Sequence, residues 1–418
     1  MAIGHITHKG GATMKKVYIV SAKRTAIGRF MGSLSDLHPA EYGSEVVKRM
    51  LESSNVPKEA IDEVIVGNIL PAGLGQGVAR QISLNAGIPT TVPAHAVNMV
   101  CGSGMKTLMN AYTSIVGGMG DLYLAGGVEA MSKAPYILPD RMRKGHKMGG
   151  FTVKDHMIDD ALMDAFKPMH MGITAENIAE KYDLSRESQD AFAAESQRRA
   201  AHAQDNGRFD DEIVPITVKE RKGEFVFDKD EHLNRKSNEE TLAKLRAAFK
   251  KDGTVTAGNS SGINDGASFM MVASEDAVRK YNLEPLAEVI GVGQGGVEPD
   301  YMGLGPVPAI DHALKRTSLS FDDIKLLELN EAFAAQSLGV LKDLEKAYGL
   351  DIDTLMERTN VNGGAIALGH PVGASGNRIM VTLLHEMKKR NTKYGLASLC
   401  IGGGMGTAVI LKNMEAEQ

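Results

Sequence analysis

"YGLASLCIGGGMGTAVIL", residues 394–411, reads as a strand, a glycine step and a second strand. A related strand running into its own glycine step, "GDLYLAGGVEAMS", stands at 120–132. Two further matches keep the same order along the chain. "IDEVIVGNILPAG" (61–73) pairs with "IKLLELNEAFAAQ" (324–336), and "VNMVCGSG" (97–104) pairs loosely with "VNGGAIALGHPVGASG" (361–376). Three ordered matches imply a duplicated unit. Two related halves facing each other bring equivalent loops together, so a site is expected between them.

Each unit alternates short β-branched runs with longer helical patterns, which points to an α/β fold with a parallel or mixed sheet. "PAEYGSEVVKRMLESS" carries Tyr42, Val46, Val47 and Met50 at helical spacing, and Val17 to Val20 reads as a first strand. From 134 to 257 the sequence turns charged, helical and poor in strand signals, as an inserted, mostly helical loop domain would. The expected division is residues 14–133 plus about 258–284 as an N-terminal half and 285–414 as a C-terminal half. Residues 1–13, "MAIGHITHKGGAT", lack the apolar core of a signal peptide and read as a leader, tag remnant or upstream start without chemistry.

Composition excludes several classes. The chain has 418 residues, 43% of them hydrophobic and 24% charged, which is ordinary for a soluble globular protein. A formal net charge of -5 leaves no nucleic-acid footprint, and no apolar run reaches the length of a bilayer span. Two cysteines make no disulfide framework, so a reducing cytoplasm fits.

One of those cysteines, Cys101, lies between a strand-like "HAVNMV" and a helical run carrying Met105, Leu108, Met109, Tyr112, Ile115 and Val116. A sharp strand-to-helix turn is expected, with Gly102 and Gly104 leaving the backbone open. A helix N-terminus favours thiolate, so a lowered pKa is expected there. On position alone a nucleophile and a small buried core residue stand level. The other cysteine, Cys400, precedes "IGGGMG" and then a strand, not a helix, which excludes a phosphate-cradling dinucleotide loop. His370, in "GGAIALGHPVGASG", falls in the segment that matches the Cys101 turn and is a candidate base for it. Asn330, in "NEAFAAQ", can offer an amide to a developing oxyanion. Its neighbour Glu331 reads equally as an acid or as a carboxylate bound to loop backbone.

"NMVCGSGMK", "NEAFAAQ", "GGAIALGHPVGASG" and "CIGGGMGTA" together resemble the four signature blocks of the thiolases. The likeness runs from about Val17 to Lys412 and is nearest to the acetyl-CoA acetyltransferases. It implies a layered α-β-α-β-α core and a reversible condensation of two acetyl-CoA to acetoacetyl-CoA and CoA. Cys101 would carry the acyl group, His370 would take its proton, and Cys400 would deprotonate the second acetyl-CoA. Asn330 would act with His370 in one oxyanion hole, and the N–H groups of Cys101 and Gly402 would form the other. Leu162, His170, Met171, Ala248, Phe249, Ala257 and Ser261 would line the coenzyme A path. Met302 and Phe333 would close the acyl pocket. Arg221, Lys222, Arg235 and Lys236 are candidates for the phosphate end. No metal or cofactor is implied. "PDRMRKGHKMGGFTVKDHM" resembles the loop that ties the family's tetramers together, so a homotetramer is expected.

The competing readings are a degradative 3-ketoacyl-CoA thiolase, a β-ketoacyl synthase and a non-catalytic acyl-CoA carrier. A synthase would pair its cysteine with two histidines, and a carrier would lack one of the four catalytic residues. Two reactive thiols on one substrate carbon would also make a pair of oxidation-sensitive thiolates.

Overall fold

The computed structural model describes residues 15–416, so the leader expected at 1–13 lies outside the described residues. The duplication appears as one strand order written twice. The first half builds its sheet from β1 (Val17–Thr25), β2 (Glu63–Gly67), β3 (Ala94–Val97), β4 (Leu122–Ala130) and β5 (Asn264–Ser274), in the order β3-β2-β4-β5-β1. The second half uses β6 (Ala287–Gly296), β7 (Leu326–Leu329), β8 (Tyr394–Ile401) and β9 (Met405–Asn413), in the order β7-β8-β9-β6. Thr359 bridges to Leu327 in parallel, at the place that β3 holds beside β2. In both halves the second and third positions run parallel and the next two pairs antiparallel. The halves join edge to edge where Tyr18 and Ile19 of β1 meet Glu288 and Ala287 of β6.

Helices fill the layers around these sheets. α1 (Pro39–Ser53) and α2 (Val78–Asn85) cover the outer face of the first sheet, with Tyr42, Val46, Val47, Met50 and Ile82 against Val64, Leu122 and Phe269. α4 (Pro306–Leu314) and α5 (Ala334–Tyr348) cover the outer face of the second. Between the sheets lie α3 (Ser103–Val116) and α6 (Val372–Arg390), whose Met105, Leu108, Ile379 and Met380 share one core with residues of both halves. This is the five-layered arrangement the sequence implied. The two central helices touch backbone to backbone because glycines face each other. A Cβ on Gly104 would lie 2.8 Å from the Gly373 carbonyl oxygen, and one on Gly376 would lie 2.5 Å from the Met105 nitrogen.

Two sequence expectations need correction. The glycine pair of "GDLYLAGGVEAMS" does not end its strand. Gly126 and Gly127 lie inside β4, where the Phe269 ring and the Gly373 backbone leave no room for a side chain. The stretch between β4 and β5 is also less purely helical than its charge suggested. Besides the helices Met171–Lys181 and Arg186–Asp205, it holds a hairpin, Ile216–Glu220 with Gly223–Phe227, whose alternating Ile216, Val218 and Phe227 are buried. Arg24 of β1 anchors this insert. Fully buried, it donates to Glu212 at 2.6 Å and to both oxygens of Asp230 at 2.7 and 3.0 Å.

Candidate active site

Cys101 sits where β3 breaks into α3. Val100 before it adopts φ +45°, a left-handed conformation that a β-branched residue takes only when its surroundings impose it. Local side chains impose it here. Asn98 accepts the Val100 N–H at 3.0 Å, while Ser103 accepts the Met99 N–H at 2.8 Å and donates to the Val100 carbonyl at 2.6 Å. Gly102 then passes so close to Ile401 that any side chain would collide with it. The expected elbow is present, and it leans on the strand that carries the other cysteine.

Its electrostatics differ from the expectation. Burial pushes the Cys101 thiol up to about 11, outweighing the N–H groups of Gly402 and of Cys101 itself, which both point at the sulfur and favour thiolate. Buried Glu129 adds a smaller push in the same direction. Cys400, near the end of β8 and 1% exposed, is also pushed up, first by burial and then by the nearby Cys101. Both sulfurs therefore rest as thiols. The lowered thiol pKa expected for Cys101 at the helix N-terminus is thus reversed by burial.

His370 precedes α6 and is buried. Its backbone N–H donates to Asn264 Oδ1 at 2.9 Å, and Gly369 before it takes φ +107°, a region glycine enters freely. Burial, helped by the charge of Arg378, holds its imidazole down at about 4, so it is neutral at pH 7. Gly373 at the start of α6 donates to Glu129 Oε2 at 2.9 Å. The same carboxylate receives Asn68, Ile69 and Leu70 at 2.9 to 3.1 Å, tying the histidine's helix to the first half.

Cys101, His370, Cys400 and Gly402 open on one cavity of about 540 Å³. Leu162, His170, Met171 and Ala248 line it, as do Phe249, Ala257, Ser261, Met302 and Phe333. All nine residues expected along the coenzyme A path and acyl pocket are thus brought together. Phe249 organises this wall. Its ring stacks on His170 at 4.7 Å and meets Phe333 edge-on at 6.0 Å.

Asn330 is not among the residues that line the cavity, although Ala332 and Phe333 beyond it are. It directly follows β7, is 2% exposed, and neither its amide nitrogen nor its amide oxygen has a partner. Glu331 resolves toward structure, accepting from Ser196 at 2.6 Å, Asn360 at 3.0 Å and the Ile366 N–H at 3.2 Å. The four phosphate-end candidates do not line the cavity. Arg221 and Lys222 form the hairpin turn, and Arg235 is paired with Asp205 at 2.8 Å. Sequence reading missed Arg29, which does line it, Glu129, whose partners come from distant segments, and Ser375, which bonds the His370 ring five residues before it.

A duplicated α/β core that presents two thiols and an imidazole to one largely apolar cavity defines a class of carbon–carbon bond-forming acyltransferases. The chain belongs to the thiolase family. Residues 17–276 match the family described as "Thiolase, N-terminal domain" and residues 283–413 match "Thiolase, C-terminal domain". It is 51% identical over 398 residues to an acetyl-CoA acetyltransferase of Chromobacterium violaceum, covering 95% of this chain and 99% of that one. Among solved structures, an acetyl-CoA acetyltransferase from Syntrophomonas wolfei superposes with a TM-score of 0.93 at 40% identity, covering 96% of this chain and 100% of that one. The human mitochondrial 3-ketoacyl-CoA thiolase in complex with CoA superposes with a TM-score of 0.89 at 43% identity, covering 96% and 98%.

Proposed function

We propose that this protein is an acetyl-CoA C-acetyltransferase, condensing two acetyl-CoA to acetoacetyl-CoA and CoA through an acetyl thioester on Cys101. The observation that carries the reading is the convergence of Cys101, His370 and Cys400 on one cavity, with two backbone N–H groups aimed at the Cys101 sulfur.

The resting protonation states balance the reaction. Cys101 gives its proton to neutral His370 and attacks the first acetyl-CoA. The oxygen of the tetrahedral intermediate lies in the hole formed by the N–H groups of Cys101 and Gly402. Coenzyme A leaves with the proton of Cys400. The site now holds acetyl–Cys101, an imidazolium and a Cys400 thiolate. That thiolate takes a proton from the methyl carbon of the second acetyl-CoA. The imidazolium, together with a water held by the unpartnered amide of Asn330, stabilises the enolate. The enolate attacks acetyl–Cys101, and the departing sulfur recovers its proton from His370. The cycle moves protons and one acyl group and consumes no electrons, so it calls for no metal or redox cofactor.

Leu162, His170, Met171, Ala248, Phe249, Ala257 and Ser261 hold the pantetheine arm, while Met302 and Phe333 limit the acyl chain. The protein is proposed to act in the cytoplasm; among the described residues no helix is long and apolar enough to cross a membrane. It is also proposed to assemble as a homotetramer. The loop that suggested this exposes Met148, Phe151 and Val153, with exposed Leu138 just before it, an apolar surface suited to a second copy.

A degradative 3-ketoacyl-CoA thiolase is the reading favoured by the human neighbour. The test is thiolysis of acetoacetyl-CoA against a longer 3-ketoacyl-CoA. The proposal expects kcat/KM to favour the short substrate, and a preference for the long one contradicts it.

A further inference from the structure

One buried hydrogen bond beside His370 bears on which ring nitrogen does the chemistry. His370 Nδ1 lies 2.6 Å from the Ser375 hydroxyl, one turn along α6. That hydroxyl is also 3.0 Å from the Pro371 carbonyl, which can only accept. A serine in a helix commonly donates to the carbonyl four residues back, and with its proton on Pro371 its lone pairs face the ring. In that arrangement Nδ1 carries the hydrogen and Nε2 is left bare.

We propose that Ser375 is a positioning residue that holds His370 as the Nδ1–H tautomer, so that every proton in the cycle enters and leaves the ring at Nε2. This rests on the acyl-transfer reading above. At rest, Nε2 is the lone pair that accepts the Cys101 proton. After acylation, Nε2–H faces the enolate oxygen while Nδ1–H stays on Ser375, so the ring need not rotate between half-reactions. A hydroxyl suits this better than a carboxylate. A carboxylate would favour the imidazolium and hinder return of the proton to Cys101, whereas a neutral oxygen orients the ring with little bias. The charge of Arg378, which also acts on this ring, works toward the same neutral resting state.

Ser375→Ala removes one oxygen from a buried helix without stranding Pro371, whose carbonyl still accepts the Ser375 backbone N–H at 3.0 Å. The fold should therefore survive. The tautomer is read directly by nitrogen NMR of His370 in ¹⁵N-histidine-labelled full-length protein at neutral pH, without turnover. The wild type should show Nδ1 protonated and Nε2 bare, and a protonated Nε2 overturns the proposal. Ser375→Ala should lose this single state, giving mixed or exchanging tautomers. It should also lower kcat for both half-reactions by about 10²-fold, the scale of a misoriented catalytic group, with KM little changed. Ser375→Thr, which restores the hydroxyl, should recover most of both. An Ala variant with wild-type kcat and an unchanged tautomer contradicts the proposal. Failure of Cys101 to acquire an acetyl group would contradict the acyl-transfer reading instead, and leaves the NMR result standing on its own.

Discussion

The two halves share a strand order but spend their loops differently. In the first, β4 and β5 are separated by residues 131–263; in the second, their counterparts β8 and β9 are joined by Gly402, Gly403 and Gly404 alone. The long connection makes a wall and the short one makes a corner. Leu162, His170 and Phe249 on the insert shape the cavity, while the glycine turn sets Cys400 and the Gly402 N–H against Cys101. The helix connections diverge in the opposite sense. Cys101 lies in a short turn before α3, whereas the chain from Thr359 to α6 is drawn out and delivers His370. Duplication thus supplied a rigid frame, and unequal loops supplied unlike chemical groups to one point.

The insert is the piece the second half lacks, and Arg24 is its anchor. Arg24→Ala strands Glu212 and Asp230 in the interior, a change that typically costs about 3–5 kcal/mol. Denaturant unfolding should show a loss of that size. A loss below about 1 kcal/mol, the scale of an exposed pair, would mean that the insert does not depend on this contact.

Asn330 and Asn68 sharpen the comparison because they follow equivalent strands, β7 and β2. Asn68 is engaged, donating to Glu129 at 2.9 Å, while the Asn330 amide is free. Asn330→Ala should lower the condensation rate by about 10²–10³-fold, the scale of one oxyanion donor, with little change in stability. Asn68→Ala should do the reverse, destabilising by about 1–3 kcal/mol as Glu129 loses a partner, with a smaller effect on rate. Paired kinetics and melting curves read both, and equal effects at the two sites would contradict the division of labour.

The smallest effect concerns Cys101 before substrate binds. With its thiol held up at about 11, iodoacetamide alkylation should climb steadily with pH. The thiolate fraction grows roughly tenfold per pH unit below the pKa, so no plateau is expected between about pH 7 and about pH 9. A plateau in that range would mean that the helix N-terminus and the two N–H groups outweigh burial.

Much of this was legible in the sequence. The repeated blocks placed β2, β4, β7 and β8, and the helical spacing of Met105, Leu108 and Ile115 marked α3. Cys101, Cys400 and His370 stood out at glycine steps and Asn330 at the end of an apolar strand, and the resemblance to the thiolases supplied their roles. The protonation states were not legible, since burial of Cys101 and His370 depends on the assembled cavity. Glu129 and Ser375 were also hidden, because their roles come from partners such as Gly373 and from a ring orientation that spacing does not encode. The hairpin at 216–227 escaped notice because charged residues interrupt its alternation.

The central claim is that the halves contribute separable steps: the first half's Cys101 carries the acyl group and the second half's Cys400 acts on the incoming substrate. Mass spectrometry of Cys400→Ala incubated with acetyl-CoA, alongside an assay for acetoacetyl-CoA, tests this most directly. The account predicts an acetyl group on the Cys101 peptide and no acetoacetyl-CoA. An unacetylated Cys101, or condensation at the wild-type rate, would contradict it.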